Sequence, residues 1–251
     1  MADFKDLIEL AELMTFVGEA GFRKPTPVQS ETIPRFLRGE SLSVLAQTGS
    51  GKTLAFALPL VQLIKQGEVD RGGDLQEDRA PVGWVVAPTD ELCTQLSQVF
   101  KALAHKAKFR VRVFKKGRSK KETRMSVSGA IDIVIGTPGR ILSGLEAGLL
   151  RTDQARYLIM DEADQLFDPG FVGEVRTLAT KLFSPQLQVG LFSATMPGSF
   201  AERRALCFPR VRFEEISLQG SHSLRDNIET INLNVPFVEK TAHAIDILRK
   251  A

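Results

Sequence analysis

Cysteine is scarce: Cys93 and Cys207 are the only two, they stand far apart, and neither belongs to a CxxC or histidine-rich spacing. A disulfide framework and a zinc site are therefore not expected. Long apolar runs are missing too, with nothing near the roughly 18 residues that a membrane span requires. The opening MADFKDLIELAELM mixes acids among its apolar residues and has no basic stretch ahead of an apolar block, which is not the pattern of a signal peptide. Internal repeats and low-complexity tracts are absent, and 12 prolines and 20 glycines in 251 residues argue against collagen-like and disordered chains. What is left is 43% hydrophobic and 25% charged, long enough to bury the core of one large domain, alone or with a fragment of a second. The expectation is a monomeric chain of a reducing cytoplasm with no membrane partner.

The formal net charge is only +3, yet charge of one sign is concentrated. Between Lys101 and Arg124 eleven Lys/Arg face a single acid, Glu122, a net of +10 in 24 residues that leaves −7 for the rest. A basic block on an acidic body points to an anionic partner, nucleic acid foremost, with a solvated lysine-rich face as the plainer alternative.

Short β-branched apolar runs recur at Leu42–Ala46, Trp84–Ala87, Val111–Phe114, Ile131–Ile135, Tyr157–Met160, Val189–Phe192 and Val211–Phe213, separated by amphipathic stretches of helical length. Such alternation predicts β-α-β units, an α/β fold with a mostly parallel sheet and helices on both faces. The first forty residues read as helical. A stripe from Leu7 to Met14 is stopped by Gly18 and Gly21, and a second helix opens at Pro27 behind Thr26 and ends at Gly39. Lys65–Val82 reads as a mobile surface loop and Ser217–Asn227 as a linker, after which Ile228–Val235 alternates as a strand and Val238–Ala251 as a helix. In Arg110–Phe114 the alternation buries Val111 and Val113 and turns the arginines outward; Lys115–Arg124 then reads as a loop and a helix start.

The strongest local signal is Ala46-Gln47-Thr48-Gly49-Ser50-Gly51-Lys52-Thr53, between a strand and a helix. It has phosphate-loop spacing with alanine in place of the first glycine. Small residues let successive backbone N–H groups turn toward a phosphate on the positive end of the helix. Lys52 then neutralises the β- and γ-phosphates, and the Thr53 hydroxyl ligates Mg²⁺. Such a loop needs a carboxylate at the end of another core strand, and Asp161-Glu162 follows Tyr157–Met160. Asp161 is expected to hold Mg²⁺ through water, and Glu162 to position or deprotonate the attacking water.

Asp161-Glu162-Ala163-Asp164 spells a DEAD box, and the chain resembles the N-terminal RecA-like domain of a DEAD-box ATP-dependent RNA helicase. Gly21-Phe22-Arg23-Lys24-Pro25-Thr26-Pro27-Val28-Gln29 resembles the family's Q motif, with Phe4 as its isolated upstream aromatic. Ser193-Ala194-Thr195 matches the third motif, and Thr137-Pro138-Gly139-Arg140 the TPGR element. The resemblance implies that ATP is bound by Phe4, Phe22, Lys24, Gln29 and the residues Gln47 to Thr53. Phe22 stacks on the base, and the Gln29 amide reads adenine N7 and N6, where guanine offers an acceptor instead. It implies that Asp164, Ser193 and Thr195 couple hydrolysis to RNA binding. It also implies that Pro88, Thr89, Lys116, Gly117, Thr137, Pro138, Gly139 and Arg140 hold the RNA backbone. Two positions depart from the pattern: Asp90 stands where the family has Arg, and Lys116 where it has the first Gly of a GG pair. Asp90 puts repulsion beside a phosphate path and predicts weakened or rerouted RNA binding, unless it pairs with a nearby base.

The organisation expected is residues 1–39 as N-terminal helices with the Q motif, 40–216 as the ATP-binding core, 217–227 as linker and 228–251 as the start of a truncated second RecA-like domain. The activity implied is ATP hydrolysis coupled to local RNA unwinding once a second domain is joined, with catalysis by Lys52, Asp161 and Glu162. The alternatives are a nucleotide-switched RNA-binding or assembly module, and a DNA-directed P-loop ATPase.

Overall fold

The computed structural model describes residues 3–70, 79–115, 129–218, 233–236 and 239–250. Seven strands form one parallel sheet: β1 (Ser41–Leu45), β2 (Gly83–Val86), β3 (Val111–Phe114), β4 (Ile133–Gly136), β5 (Tyr157–Asp161), β6 (Gln188–Ser193) and β7 (Phe213–Ser217), in the order β3-β4-β2-β5-β6-β1-β7. Along each strand successive side chains go to opposite faces. On one face Val44, Val85, Ile133, Ile159 and Phe192 pack under α1 (Ala11–Glu19), α2 (Pro27–Leu37), α3 (Lys52–Asp70) and α4 (Asp90–Ala107). On the other, Trp84, Val134, Leu158, Met160 and Leu191 pack under α5 (Pro138–Glu146), the short α6 (Ala163–Leu166), α7 (Val172–Leu182) and α8 (Phe200–Cys207). Both faces are covered, which is why the central strands are apolar at consecutive positions.

Each of the seven short apolar runs meets a strand: Val111–Phe114 keeps its bounds, Val211–Phe213 meets β7 at Phe213 alone, and the ends of the other five shift by at most two residues. β7 runs on to Ser217, opposite Leu45, so the first residue of the expected linker belongs to the sheet; residues 219–227 lie outside the described residues. The first helix starts at Ala11, not Leu7. Ahead of it Phe4–Asp6 form a 3-10 turn, and the Gln62 side-chain oxygen accepts the Glu9 N–H at 2.9 Å. That tertiary bond holds Glu9 and Leu10 off the helical path, although Leu7 and Ile8 are buried as their pattern implied. α3 reaches Asp70, so the first six residues of the expected loop are helical, with Lys65 and Glu68 paired one turn apart.

At the sheet edge Val111 and Val113 are only half-buried, because β3 has a neighbour on one side alone. Of the expected Ile228–Val235 strand, 228–232 lie outside the described residues and Leu233–Val235 are irregular. The last expected helix is present as α9 (Lys240–Lys250), with Ile245, Ile247 and Leu248 exposed. No helix among the described residues is long and apolar enough to cross a membrane.

Candidate active site

β5, β6 and β1 are neighbours, so the loops leaving their carboxyl ends gather at one end of the sheet. Register fixes the arrangement: Asp161 lies beside Phe192, and Ser193 beside Leu45. The Ala46 N–H donates to the Ser193 carbonyl at 3.0 Å and carries β1 into the glycine-rich loop. Gly49 and Gly51 take left-handed φ values of 74° and 96°, which turn the chain into α3. Gly51 is also closely approached, since a Cβ there would stand 2.6 Å from Gln29 Nε2. Lys52 is 7% exposed, and its ammonium donates to the carbonyls of Ala46 at 2.7 Å and Gln47 at 3.3 Å. The loop thus wraps its own cation, with Thr53 half-buried beside it. The Ser50 hydroxyl is buried without a hydrogen-bond partner among the described residues.

Opposite the loop, burial and then the adjacent Glu162 carboxylate push Asp161 from 3.8 up to about 6, against the pull of Lys52. Glu162 is raised as well, by burial first, with Lys52 opposing and Asp164 adding to the rise. One ammonium therefore acts on both carboxylates, so the structure brings together the two sites that the sequence separates by over a hundred residues. Glu162 adopts a left-handed φ of 52°, costly for a residue with a Cβ and typical of strain kept at working sites.

The residues of the Gly21–Gln29 segment divide by burial. Phe22 is 44% exposed, which removes a core role and leaves its ring face open for stacking. Phe4 is 2% exposed and packs in the core, so the upstream aromatic anchors the N-terminal segment. Lys24 is exposed. Gln29 is 4% exposed: its amide oxygen accepts the Thr26 N–H at 2.9 Å and its amide nitrogen donates to the Gly51 carbonyl at 3.1 Å. Each amide atom keeps one further donor or acceptor site for a base. The Gln29–Gly51 bond ties the start of α2 to the glycine-rich loop, a contact no local pattern announces.

Asp164 accepts from the Thr195 hydroxyl at 2.5 Å and from the Thr195 N–H at 3.2 Å. Ser193 bonds to Thr195 and not to Asp164, so Thr195 is the direct link between the acid box and β6.

β2 and β4 are neighbours, and Pro88–Thr89 and Thr137–Arg140 leave them at the same end of the sheet, each opening a helix. The Thr89 hydroxyl accepts the Leu92 N–H at 3.2 Å, and Asp90 takes the first turn of α4. Pro88 and Pro138 are buried; Thr137, Gly139 and Arg140 are half-buried. A Cβ on Gly139 would stand 2.8 Å from a Glu174 carboxylate oxygen, so α7 contributes an acid here that the sequence did not mark. Lys116 and Gly117 lie outside the described residues.

No three His, Cys, Asp or Glu side chains converge on a metal position among the described residues. The oxygen donors at hand, Asp161, Glu162 and Thr53, are few and hard. They fit a magnesium ion shared with a nucleotide's phosphates, not an ion caged by protein alone.

A parallel sheet whose first strand runs into this loop, with paired acids one strand beyond its neighbour, defines a RecA-like nucleotide-binding domain. The family model described as DEAD/DEAH box helicase matches residues 26–203, and the chain belongs to that family. It is 38% identical over 187 residues to "DEAD-box ATP-dependent RNA helicase 24" of Oryza sativa subsp. japonica, covering 74% of this chain and 23% of that protein. It is 33% identical over 249 residues to "ATP-dependent rRNA helicase RRP3" of Debaryomyces hansenii, covering 98% of this chain and 49% of that one. A hypothetical ATP-dependent RNA helicase from Sulfolobus tokodaii superposes with a TM-score of 0.69 at 30% identity, over 82% of this chain and 57% of that chain. The chain thus spans between about a quarter and a half of the length of these curated relatives.

Proposed function

We propose that this chain is the ATP-binding lobe of an ATP-dependent RNA helicase, a hydrolase acting on the β–γ anhydride of ATP. The observation that carries the reading is the position of Lys52, caught between its own loop carbonyls and the field of Asp161 and Glu162. A γ-phosphate offers that ammonium a better partner than a carbonyl does, so nucleotide binding exchanges one set of bonds for a stronger one.

Phe22 stacks on the base, Gln29 reads the adenine edge with its spare donor and acceptor, and the N–H groups from Thr48 to Thr53 face the phosphates. Asp161, through water, and the Thr53 hydroxyl would hold Mg²⁺, which when bound would supply charge neutralisation to the phosphates. Glu162, with its affinity for protons raised by burial, orients a water for attack and takes up its proton. Asp164 and Thr195 carry the state of that site into β6. RNA lies along the α4 and α5 amino ends at Pro88, Thr89 and Thr137 to Arg140, with Lys116 and Gly117 as further contacts and the lysines and arginines of the basic segment adding long-range attraction.

Strand separation needs a second RecA-like domain, with 1–39 and 40–216 as one lobe, 217–227 as linker and 228–251 as the start of the next. The chain works as a monomer in the cytoplasm. Intact Lys52, Asp161 and Glu162 favour hydrolysis over a switched binding module. The test is a titration with ATP, ADP and GTP, with and without single-stranded RNA, on the wild type and Glu162→Gln. Expected are tight adenine nucleotide binding, at least tenfold weaker GTP, slow turnover, no unwinding by these 251 residues alone, and retained ATP binding without turnover in Glu162→Gln. GTP binding equal to ATP, or unchanged turnover in Glu162→Gln, would overturn the reading.

A further inference from the structure

The nucleotide loop, the acid box and the RNA edge all lie at the carboxyl ends of the strands. At the amino ends of β1, β6 and β7 lies a separate cleft of about 860 Å³, lined by Arg35, Arg38, Arg210 and Arg212 with Glu40 and Glu214 between them. We propose that this cleft docks an acidic peptide segment of a partner protein, seated by an apolar anchor residue.

The charges are not mutually cancelled. Arg38 pairs with Glu40 at 2.8 Å and Arg212 with Glu214 at 3.3 Å, whereas Arg35 and Arg210 have no carboxylate partner among the described residues. The Arg210 guanidinium lies over the Phe183 ring, 5.4 Å from its centroid, and that ring is 41% exposed. Behind this stack a second cavity of about 270 Å³ is walled by Ala179, Leu187, Cys207, Phe208 and Val211. Phe183, Leu187, Arg210 and Val211 line both cavities, so a basic compartment and an apolar one share a wall.

The floor is preorganised. Gln188 donates its amide to the carbonyls of Phe36 at 2.7 Å and Glu40 at 2.8 Å, and Ser41 Oγ accepts the Val189 N–H at 2.9 Å.

The chemistry separates peptide from nucleic acid. A phosphodiester strand carries charge at every step and would have to pass Glu40 and Glu214, whereas spaced carboxylates can take Arg35 and Arg210 singly, each as a bidentate pair. The neighbouring apolar cavity gives a phosphate backbone nothing and suits a leucine or aromatic side chain, the usual centre of a peptide interface. This site is independent of the nucleotide chemistry proposed above.

The experiment is selection from a phage-displayed random peptide library on the 251-residue chain, followed by anisotropy titration of the leading synthetic peptide. Expected is a consensus with Asp or Glu flanking Leu, Phe or Trp. Its affinity should fall at least tenfold in Arg35→Glu/Arg210→Glu and in the milder Arg35→Ala/Arg210→Ala, both keeping wild-type nucleotide affinity. Either no acidic-apolar consensus or peptide binding that survives both double variants overturns the proposal. So does oligo(U) RNA that displaces the peptide and itself loses affinity in the double variants, because that makes the cleft a nucleic-acid site.

Discussion

At the residue scale two carboxylates define what can be measured. Asp161 has an ordinary value of 3.8 and a folded one of about 6, raised mainly by burial. Below about pH 4 it is protonated whether folded or not. Between the two values the unfolded chain ionises while the folded one keeps its proton, so stability falls as pH rises through that window, by on the order of 3 kcal/mol. Asp161→Asn is neutral throughout and keeps its side-chain oxygen for the Glu162 N–H, which donates to Asp161 at 3.1 Å. Without nucleotide or metal the variant is expected to melt roughly 5–10 °C above wild type at pH 7.5, with the gap closing toward pH 4 in thermal denaturation. A gap of the same size at both pH values contradicts the account. Asp90 poses the opposite trade. In the first turn of α4 a carboxylate gains about 0.3–1 kcal/mol from the helix dipole, but on the RNA path proposed above it would repel phosphate. Asp90→Arg should lower stability slightly, raise affinity for oligo(U) several-fold at low salt, and steepen the salt dependence by about one unit of slope. Unchanged affinity would mean that the RNA passes elsewhere.

At the scale of elements, the join between α2 and the phosphate loop matters most. Gly51 combines a φ of 96° with a virtual Cβ 2.6 Å from Gln29 Nε2. Gly51→Ala must therefore strain the backbone, by about 1–3 kcal/mol, and push Gln29 off the Gly51 carbonyl. ATP affinity is expected to fall at least tenfold, by titration. Gly18→Ala, on an open face of α1 with no atom within 4 Å, should instead stabilise by up to about 1 kcal/mol and leave ATP binding alone. This join also marks how far the sequence could be read. Contiguous signals were legible: the apolar runs of the seven strands, the loop from Ala46 to Thr53, and the acids after Tyr157–Met160. Contacts between distant segments were not. Nothing local shows that Gln62 takes the Glu9 N–H and delays α1 to Ala11. Nor does anything local show that Phe4 faces the core, that Asp164 bonds Thr195 before Ser193, or that Glu174 leans on Gly139. An aromatic directly after a glycine, as Phe22 is, likewise reads alike whether buried or exposed.

At the scale of the whole molecule, the sheet has two working ends. Its carboxyl ends carry the glycine-rich loop, the paired acids and the amino ends of α4 and α5, and its amino ends the arginine cleft, so a partner on one need not obstruct the other. The strand order has a consequence in time as well. β1, which bears the nucleotide loop, pairs only with β6 and β7, and its partner in β6 lies 148 residues later in the chain. A ribosome adding about 5–20 residues per second therefore leaves Ser41–Leu45 waiting on the order of ten seconds or more, both its edges open to any other strand or to a chaperone. The strand that runs into the glycine-rich loop is made well before either of the strands that will hold it in the sheet.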